Sequence, residues 1–268
     1  MYLLLTACTH FQTSKENEET ANDVKSELSE SNDPIIISNE QFKPVFIIPR
    51  DIKMKEYFTF LDSVLQLQDS QLDYALSEHI LIRANSWIID TLVSYDYYER
   101  MKQGIFIYDQ KEAVILHKGD TLHIPDKQTA NEIEAELKNT IVDVNIPEYK
   151  LRIIVHDSTK YTFPVRVGRN EIKYLKTAGR EVNLRTPIGE GEIVRIEKNP
   201  SYINPVTAKL YFLTQRDDGK YTKLPQIPFL EPMINHIRQG ALIHPTTNPH
   251  TLGKAYSNGC IGTEEGAA

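Results

Sequence analysis

The sequence predicts an α+β protein: a small helix-plus-hairpin accessory region followed by a mainly-β sandwich or barrel. Three observations predict it. Between Met54 and Gln68 the larger apolar residues recur at helical spacing. From Lys150 onward the period of the apolar pattern changes to two. Prolines and glycines then separate several short apolar segments, as in all-β architectures.

The chain has 268 residues, enough for one or two domains. With 40% hydrophobic and 25% charged residues it can bury a core. The net charge of −7 is unevenly spread. Glu16, Glu18, Glu19, Asp23, Glu27, Glu30 and Asp33 face only Lys15 and Lys25, so one segment holds most of the negative charge. The remainder is nearly neutral and shows no basic face, which argues against a nucleic-acid partner.

Residues 1–8 end in Leu3-Leu4-Leu5-Thr6-Ala7-Cys8, a short apolar run closing on small residues and a cysteine. This resembles the lipobox of bacterial lipoproteins. The resemblance implies cleavage before Cys8, lipidation of its thiol, and a periplasmic, membrane-anchored protein of the cell envelope. The run lacks a basic start and is shorter than an ordinary signal, so Met1 is expected to lie inside a longer signal. Residues 9–33 are rich in Glu, Ser, Asn and Thr and read as a disordered acidic tether.

The accessory region is expected over residues 34–147. Tyr57, Phe58, Leu61, Val64 and Leu65 mark one amphipathic helix, and Asp96–Gln103 a second, stopped by Gly104. Ile105–Tyr108 and Ala113–Leu116, flanking a polar Asp109–Glu112, read as a β-hairpin. Lys118-Gly119-Asp120 reads as a turn, with Leu122 and Ile124 continuing the sheet. Thr129-x-x-Glu132 has the capping-box pattern before a helix with Ile133 and Leu137. Lys118–Pro125 resembles the closing stretch of a LysM glycan-binding module. Trp87, Tyr95, Tyr97 and Tyr98 then have two readings, sugar platforms or buried core aromatics.

Ile146-Pro147 reads as the end of a linker, and the second domain as residues 148–268. Leu151, Ile153 and Val155 mark one strand. Tyr161, Phe163, Val165 and Val167 mark another with one buried face. Ile193–Ile196, Leu210–Leu213 and Ala241–Ile243 add three more, the last closed by His244.

The chemistry lies near the C-terminal end. A polar loop joins His244 to Ser257-Asn258-Gly259-Cys260. A thiol is only a few per cent ionised near neutral pH, and an imidazole can take its proton and return it to a leaving amine. Gly259 lets a carbonyl approach the backbone, and the N–H groups of Gly259 and Cys260 are candidates to hold an oxyanion. The other reading is a structural His and a small buried Cys. No further His or Cys falls at ligand spacing, so no metal is expected.

At these residues the sequence resembles the YkuD-type L,D-transpeptidase domain. That family has a His, a loop, and then Ser/Thr-His-Gly-Cys. A second element, a Thr-Pro-x-Gly turn before a strand, is matched by Thr186-Pro187-Ile188-Gly189. The resemblance implies a largely β domain acting on peptidoglycan stem peptides without a cofactor. It also implies a thioacyl-enzyme on Cys260, His244 as base and acid, and the Pro245 carbonyl orienting the imidazole. A water acceptor would make the same site an L,D-carboxypeptidase or endopeptidase. A site without catalysis would leave a peptidoglycan-binding lipoprotein. Oligomeric state is left open.

Three departures stand out. Asn258 replaces the motif's second His and can donate a hydrogen bond but not shuttle protons. Gly262 stands where many members carry Arg or Asn. The family pattern continues with a helix and strand, of which Glu264–Ala268 would be the first turn.

Overall fold

The computed structural model describes residues 3–6, 44–204 and 207–268. Cys8 and the acidic tether lie outside the described residues. The first described strand is β1 (Leu3–Thr6), which belongs to the C-terminal sheet.

The accessory region begins with β2 (Val45–Ile47) and β3 (Ile52–Lys53), then α1 (Tyr57–Asp69). α2 (Glu78–Ala84), α3 (Trp87–Val93) and α4 (Tyr97–Lys102) follow. β4 (Val114–Leu116), β5 (Thr121–His123) and α5 (Lys127–Lys138) complete it. Its core is Ile48, Ile52, Leu61, Leu81, Ile88, Leu116 and Leu122, each with no exposure. Full burial of such a side chain stabilises by about 1.5–3 kcal/mol, and α1 contributes Leu61 and Val64 at i, i+3.

The expected hairpin over 105–116 does not form. β4 pairs with β3 and β5 with β2, both antiparallel. Ile105, Phe106 and Tyr108 stay 42–49% exposed. Asp109 caps a single 3-10 turn by accepting from the Lys111 N–H. The α5 cap also lies earlier than Thr129: Asp126 accepts from the Thr129 N–H at 2.8 Å. A carboxylate three residues upstream outcompetes the hydroxyl because it satisfies an open backbone N–H of the first turn while Thr129 is already inside the helix.

The aromatics act structurally. Tyr97 is 1% exposed, and Trp87 and Tyr95 pack on the accessory core. The Tyr98 hydroxyl donates to the Thr247 carbonyl at 2.5 Å.

The C-terminal sheet starts earlier than Ile146-Pro147 suggested. β6 (Thr140–Asn145) pairs with β7 (Lys150–Val155), and residues 146–149 are the turn between them. β8 (Ser158–Pro164) closes one edge. There Tyr161 is 54% exposed, whereas Val165 and Val167 are 0% and 2% exposed, so the expected buried face is covered only toward its C-terminal end. Beyond it come β9 (Val167–Gly168), the ribbon β10 (Ile172–Leu175) with β11 (Arg180–Asn183), and β12 (Glu190–Glu197).

The ribbon of β13 (Leu213–Gln215) and β14 (Tyr221–Lys223) precedes β15 (Phe229–Ile234) and β16 (Ile237–Arg238). The strand expected over Leu210–Leu213 is displaced to β13, and Leu210 makes only a bridge to Ile203. β17 (Ile243–Pro245), β18 (Ala255–Ser257) and β19 (Ile261–Thr263) end the fold. His244 is therefore the middle of its strand rather than its end.

Among the described residues the main sheet runs β19-β17-β15-β12-β1-β6-β7-β8, with β16 beside β15. Its core is Val142, Val144, Leu151, Val165, Val167, Ile234, Ile243 and Ile261. β1 pairs antiparallel with β6 and parallel with β12, so Leu3–Thr6 bridge the two halves of the sheet. No helix among the described residues is long and apolar enough to cross a membrane.

Candidate active site

β17 and β19 are neighbours and run parallel, with Ile243 opposite Ile261 and His244 opposite Gly262. Ile243 and Ile261 are 5% and 0% exposed and point into the core. Side chains alternate along a strand, so His244 and position 262 point to the other face. Cys260 stands two residues before Gly262, just ahead of β19, and shares that face. It is partly exposed and unpaired with another cysteine among the described residues.

The His244 Nδ1 lies 2.8 Å from the Pro245 carbonyl oxygen. A carbonyl can only accept, so Nδ1 carries the proton of the neutral ring and Nε2 is left with a lone pair. Phe229 packs against the ring at 4.9 Å between centroids. Burial pushes the His244 pKa down to about 4, the Pro245 bond pulls it up, and the Arg166 charge adds to the lowering. Burial pushes the Cys260 thiol up, opposed by a hydrogen bond to the Leu242 main chain and by Arg166. At pH 7 the resting pair is thus a neutral thiol and a neutral imidazole. No hydrogen bond joins them among the described residues; they share a face and a neighbour, Arg166.

The Ser257–Cys260 loop is fastened from three sides. The Ser257 hydroxyl donates to the Cys260 carbonyl at 2.6 Å and accepts from the Gly259 N–H at 3.2 Å. That contact occupies one of the two backbone N–H groups expected to hold an oxyanion. The Cys260 N–H has no partner among the described residues and is the one left open. Gly259 has φ +114, a region that favours glycine. Thr186 donates its hydroxyl to the Gly259 carbonyl at 3.0 Å and accepts from the Gly168 N–H at 2.8 Å. The Thr-Pro-x-Gly turn therefore braces the cysteine loop from behind. The Asn258 side-chain Oδ1 accepts from Arg169 at 2.5 Å, leaving its side-chain NH2 for other partners.

The intervening loop is tied to both neighbours. The Thr246 N–H donates to the Thr263 carbonyl at 2.8 Å. Thr247 meets Thr214 of β13 at 3.1 Å, and His250 meets Asp217 at 3.0 Å. Sequence reasoning did not find Arg166, Arg169, Phe229 or the Arg216–Glu265 pair, because each acts from an element distant in the chain. Gly262 was the available signal: a glycine directly beside the motif leaves room for something else.

The model of the YkuD family, the L,D-transpeptidase catalytic domain, matches residues 139–268. No curated protein matches the chain. The matched span opens one residue before β6, so the family region and the continuous sheet from β6 onward coincide. Residues 139–268 are thus similar to the YkuD family of L,D-transpeptidase catalytic domains, a family that acts on peptidoglycan.

Proposed function

We propose that the protein is a peptidoglycan L,D-transpeptidase in which Cys260 is the nucleophile and His244 the general base and acid. The observation that carries this reading is the His244–Pro245 hydrogen bond, which fixes a neutral imidazole with Nε2 free on the face shared with Cys260.

The donor is a stem peptide with an amide bond between an L-centre and a terminal D-residue. As Sγ of Cys260 attacks the carbonyl carbon, Nε2 of His244 takes the thiol proton. The C–S bond forms and the carbonyl electron pair moves to oxygen, where the Cys260 N–H donates to it. The tetrahedral centre then collapses and the C–N bond breaks. The leaving amine takes the proton from His244, and a thioester remains. Burial keeps the resting imidazole neutral, so its Nε2 is open to the thiol proton.

In the second half an amine of a neighbouring stem attacks the thioester and gives its proton to Nε2. The C–S bond breaks and the sulfur recovers its proton. The new amide is the crosslink.

The test incubates the full chain with tetrapeptide muropeptides and reads products by mass spectrometry. Crosslinked dimers that vanish in Cys260→Ala are expected. Tripeptides alone would replace transfer by hydrolysis. A folded protein that forms no thioacyl adduct with a stem peptide or a carbapenem would overturn the reading.

We also propose a lipid anchor on Cys8 and residence in the periplasm, supported by the Leu3–Cys8 pattern. Cleavage before Cys8 would remove β1 and open the facing edges of β6 and β12. Mass analysis of the mature N-terminus decides this. An acylated Cys8 is expected, and a mature chain that retains Leu3–Thr6 would overturn the anchor.

A further inference from the structure

Arg166 is tied to Gly262 by two reciprocal main-chain bonds, each 2.9 Å long. Val165 and Val167 on either side of it are 0% and 2% exposed and face the core. Arg166 therefore projects to the opposite face, in one row with position 262 and His244. Gly262 has no side chain to stand in the way. A Cβ there would lie 2.5 Å from Arg166 Nε and 2.7 Å from its Cγ. The arginine thus lies across the glycine, toward the cysteine and histidine.

Among the described residues no carboxylate pairs with this cation. Its Nε is buried without a hydrogen-bond partner. Among the described residues its guanidinium forms no ion pair. Arg216 pairs with Glu265, Arg152 with Asp143 and Arg169 with Glu171, while half-buried Arg100 donates its Nε to the Ser94 carbonyl and lies over the Tyr95 ring. The groups that feel its charge are Cys260, His244, Tyr211 and Tyr256, none of them a carboxylate. A desolvated, uncompensated charge is costly, and it persists where a ligand completes it. The planar fork of a guanidinium matches a carboxylate through two parallel hydrogen bonds.

We propose that Arg166 is the substrate-binding residue that holds a carboxylate of the acyl donor beside Cys260, through the space that Gly262 leaves open. This rests on the transpeptidase reading of the site given above. The group held is the α-carboxylate of the D-residue next to the scissile amide. Its capture would place the carbonyl carbon over Sγ and reject amidated stems.

The test uses the full chain and a neutral thiol reagent, iodoacetamide, whose reaction with Cys260 is followed by mass spectrometry. Stem peptides ending in a free acid or in a carboxamide are added as protectants. The ratio of their protecting concentrations is compared within each variant, so a change in thiol reactivity cancels. In the native protein the acid is expected to protect at concentrations about tenfold or more below the amide. Arg166→Gln should bring that ratio close to one, and Arg166→Lys should keep part of it. Gly262→Ala should lower it too, because its methyl displaces the guanidinium without removing the charge. The double variant Arg166→Ala, Gly262→Arg should restore it by supplying the cation from the opposite strand.

An acid-to-amide ratio of one in the native protein, or one unchanged in folded Arg166→Gln, would overturn the proposal. Crosslinking turnover is scored separately. Acid-selective protection without thioacyl formation would leave the subsite standing and remove the transpeptidase. Turnover with a ratio indifferent to Arg166 would do the reverse.

Discussion

Arg216 and Glu265 form an ion pair whose side chains are 0% and 1% exposed. Glu265 also accepts from the Tyr97 N–H at 3.0 Å and from Gln110 Nε2 at 2.9 Å. The guanidinium of Arg216 lies over the Tyr97 ring at 4.3 Å. One carboxylate thus joins the accessory helices, the β13–β14 ribbon and the segment that follows β19. Removing one partner of a buried pair leaves the other charge uncompensated, at a cost of about 3–5 kcal/mol. Glu265→Ala should destabilise by that amount in a denaturant titration. Replacing both residues by apolar ones should cost less than the two single changes added together.

The acid limb of catalysis should lie unusually low. His244 must be neutral to accept a proton, and burial puts its pKa at about 4. A profile of kcat/KM against pH should therefore fall near pH 4 rather than near 6.5. A fall centred at 6–7 would show that the imidazole is solvated in the working enzyme.

The same group links stability to pH. Unfolded His244 takes up a proton below about 6.5, while the folded state resists it down to about 4. Its contribution is present above pH 6.5 and is lost as the pH falls toward 4, amounting to roughly 3 kcal/mol. Glu231, held at about 2 by Arg238 and Arg195, acts in a lower window. Its contribution is present above about pH 4.5 and is lost toward pH 2. Melting curves of His244→Asn should lose the upper step and keep the lower one.

Thr186 should matter through its hydroxyl alone. It satisfies the Gly168 N–H and the Gly259 carbonyl together. Thr186→Val keeps the shape and strands both groups, each worth about 1–3 kcal/mol when buried. Stability and thiol acylation rate should both fall, and Thr186→Ser should restore most of each.

Tyr98→Phe tests the tie between the accessory region and the loop that leads to Cys260. It deletes the bond to the Thr247 carbonyl. A loss of about 0.5–1.5 kcal/mol is expected. Hydrogen exchange should rise over Thr246–His250 if this contact holds the loop.

Local patterns were legible wherever one element set its own boundary. The apolar spacing at Tyr57, Leu61 and Val64 marks α1, and Asp96 and Gly104 bracket α4. Pairing was not legible. Val114–Leu116 has strand composition, yet its partner is Ile52–Lys53 rather than the adjacent Ile105–Tyr108. β-composition records only that a segment suits a pleated surface; which surface depends on the packing of both. Tyr161 shows the same limit, since alternation cannot say that β8 is an edge.

By itself the sequence marked the candidate groups, His244 and Cys260, their order, and the Thr186 turn that accompanies them. Tertiary structure decided the rest: that β17 and β19 lie parallel, that Ser257 takes the Gly259 N–H, and that Arg166 crosses Gly262. The physical reason is range. A residue type fixes what a side chain can do, whereas its direction and its neighbours come from strands many residues away, chosen by the burial and hydrogen bonding of the whole sheet.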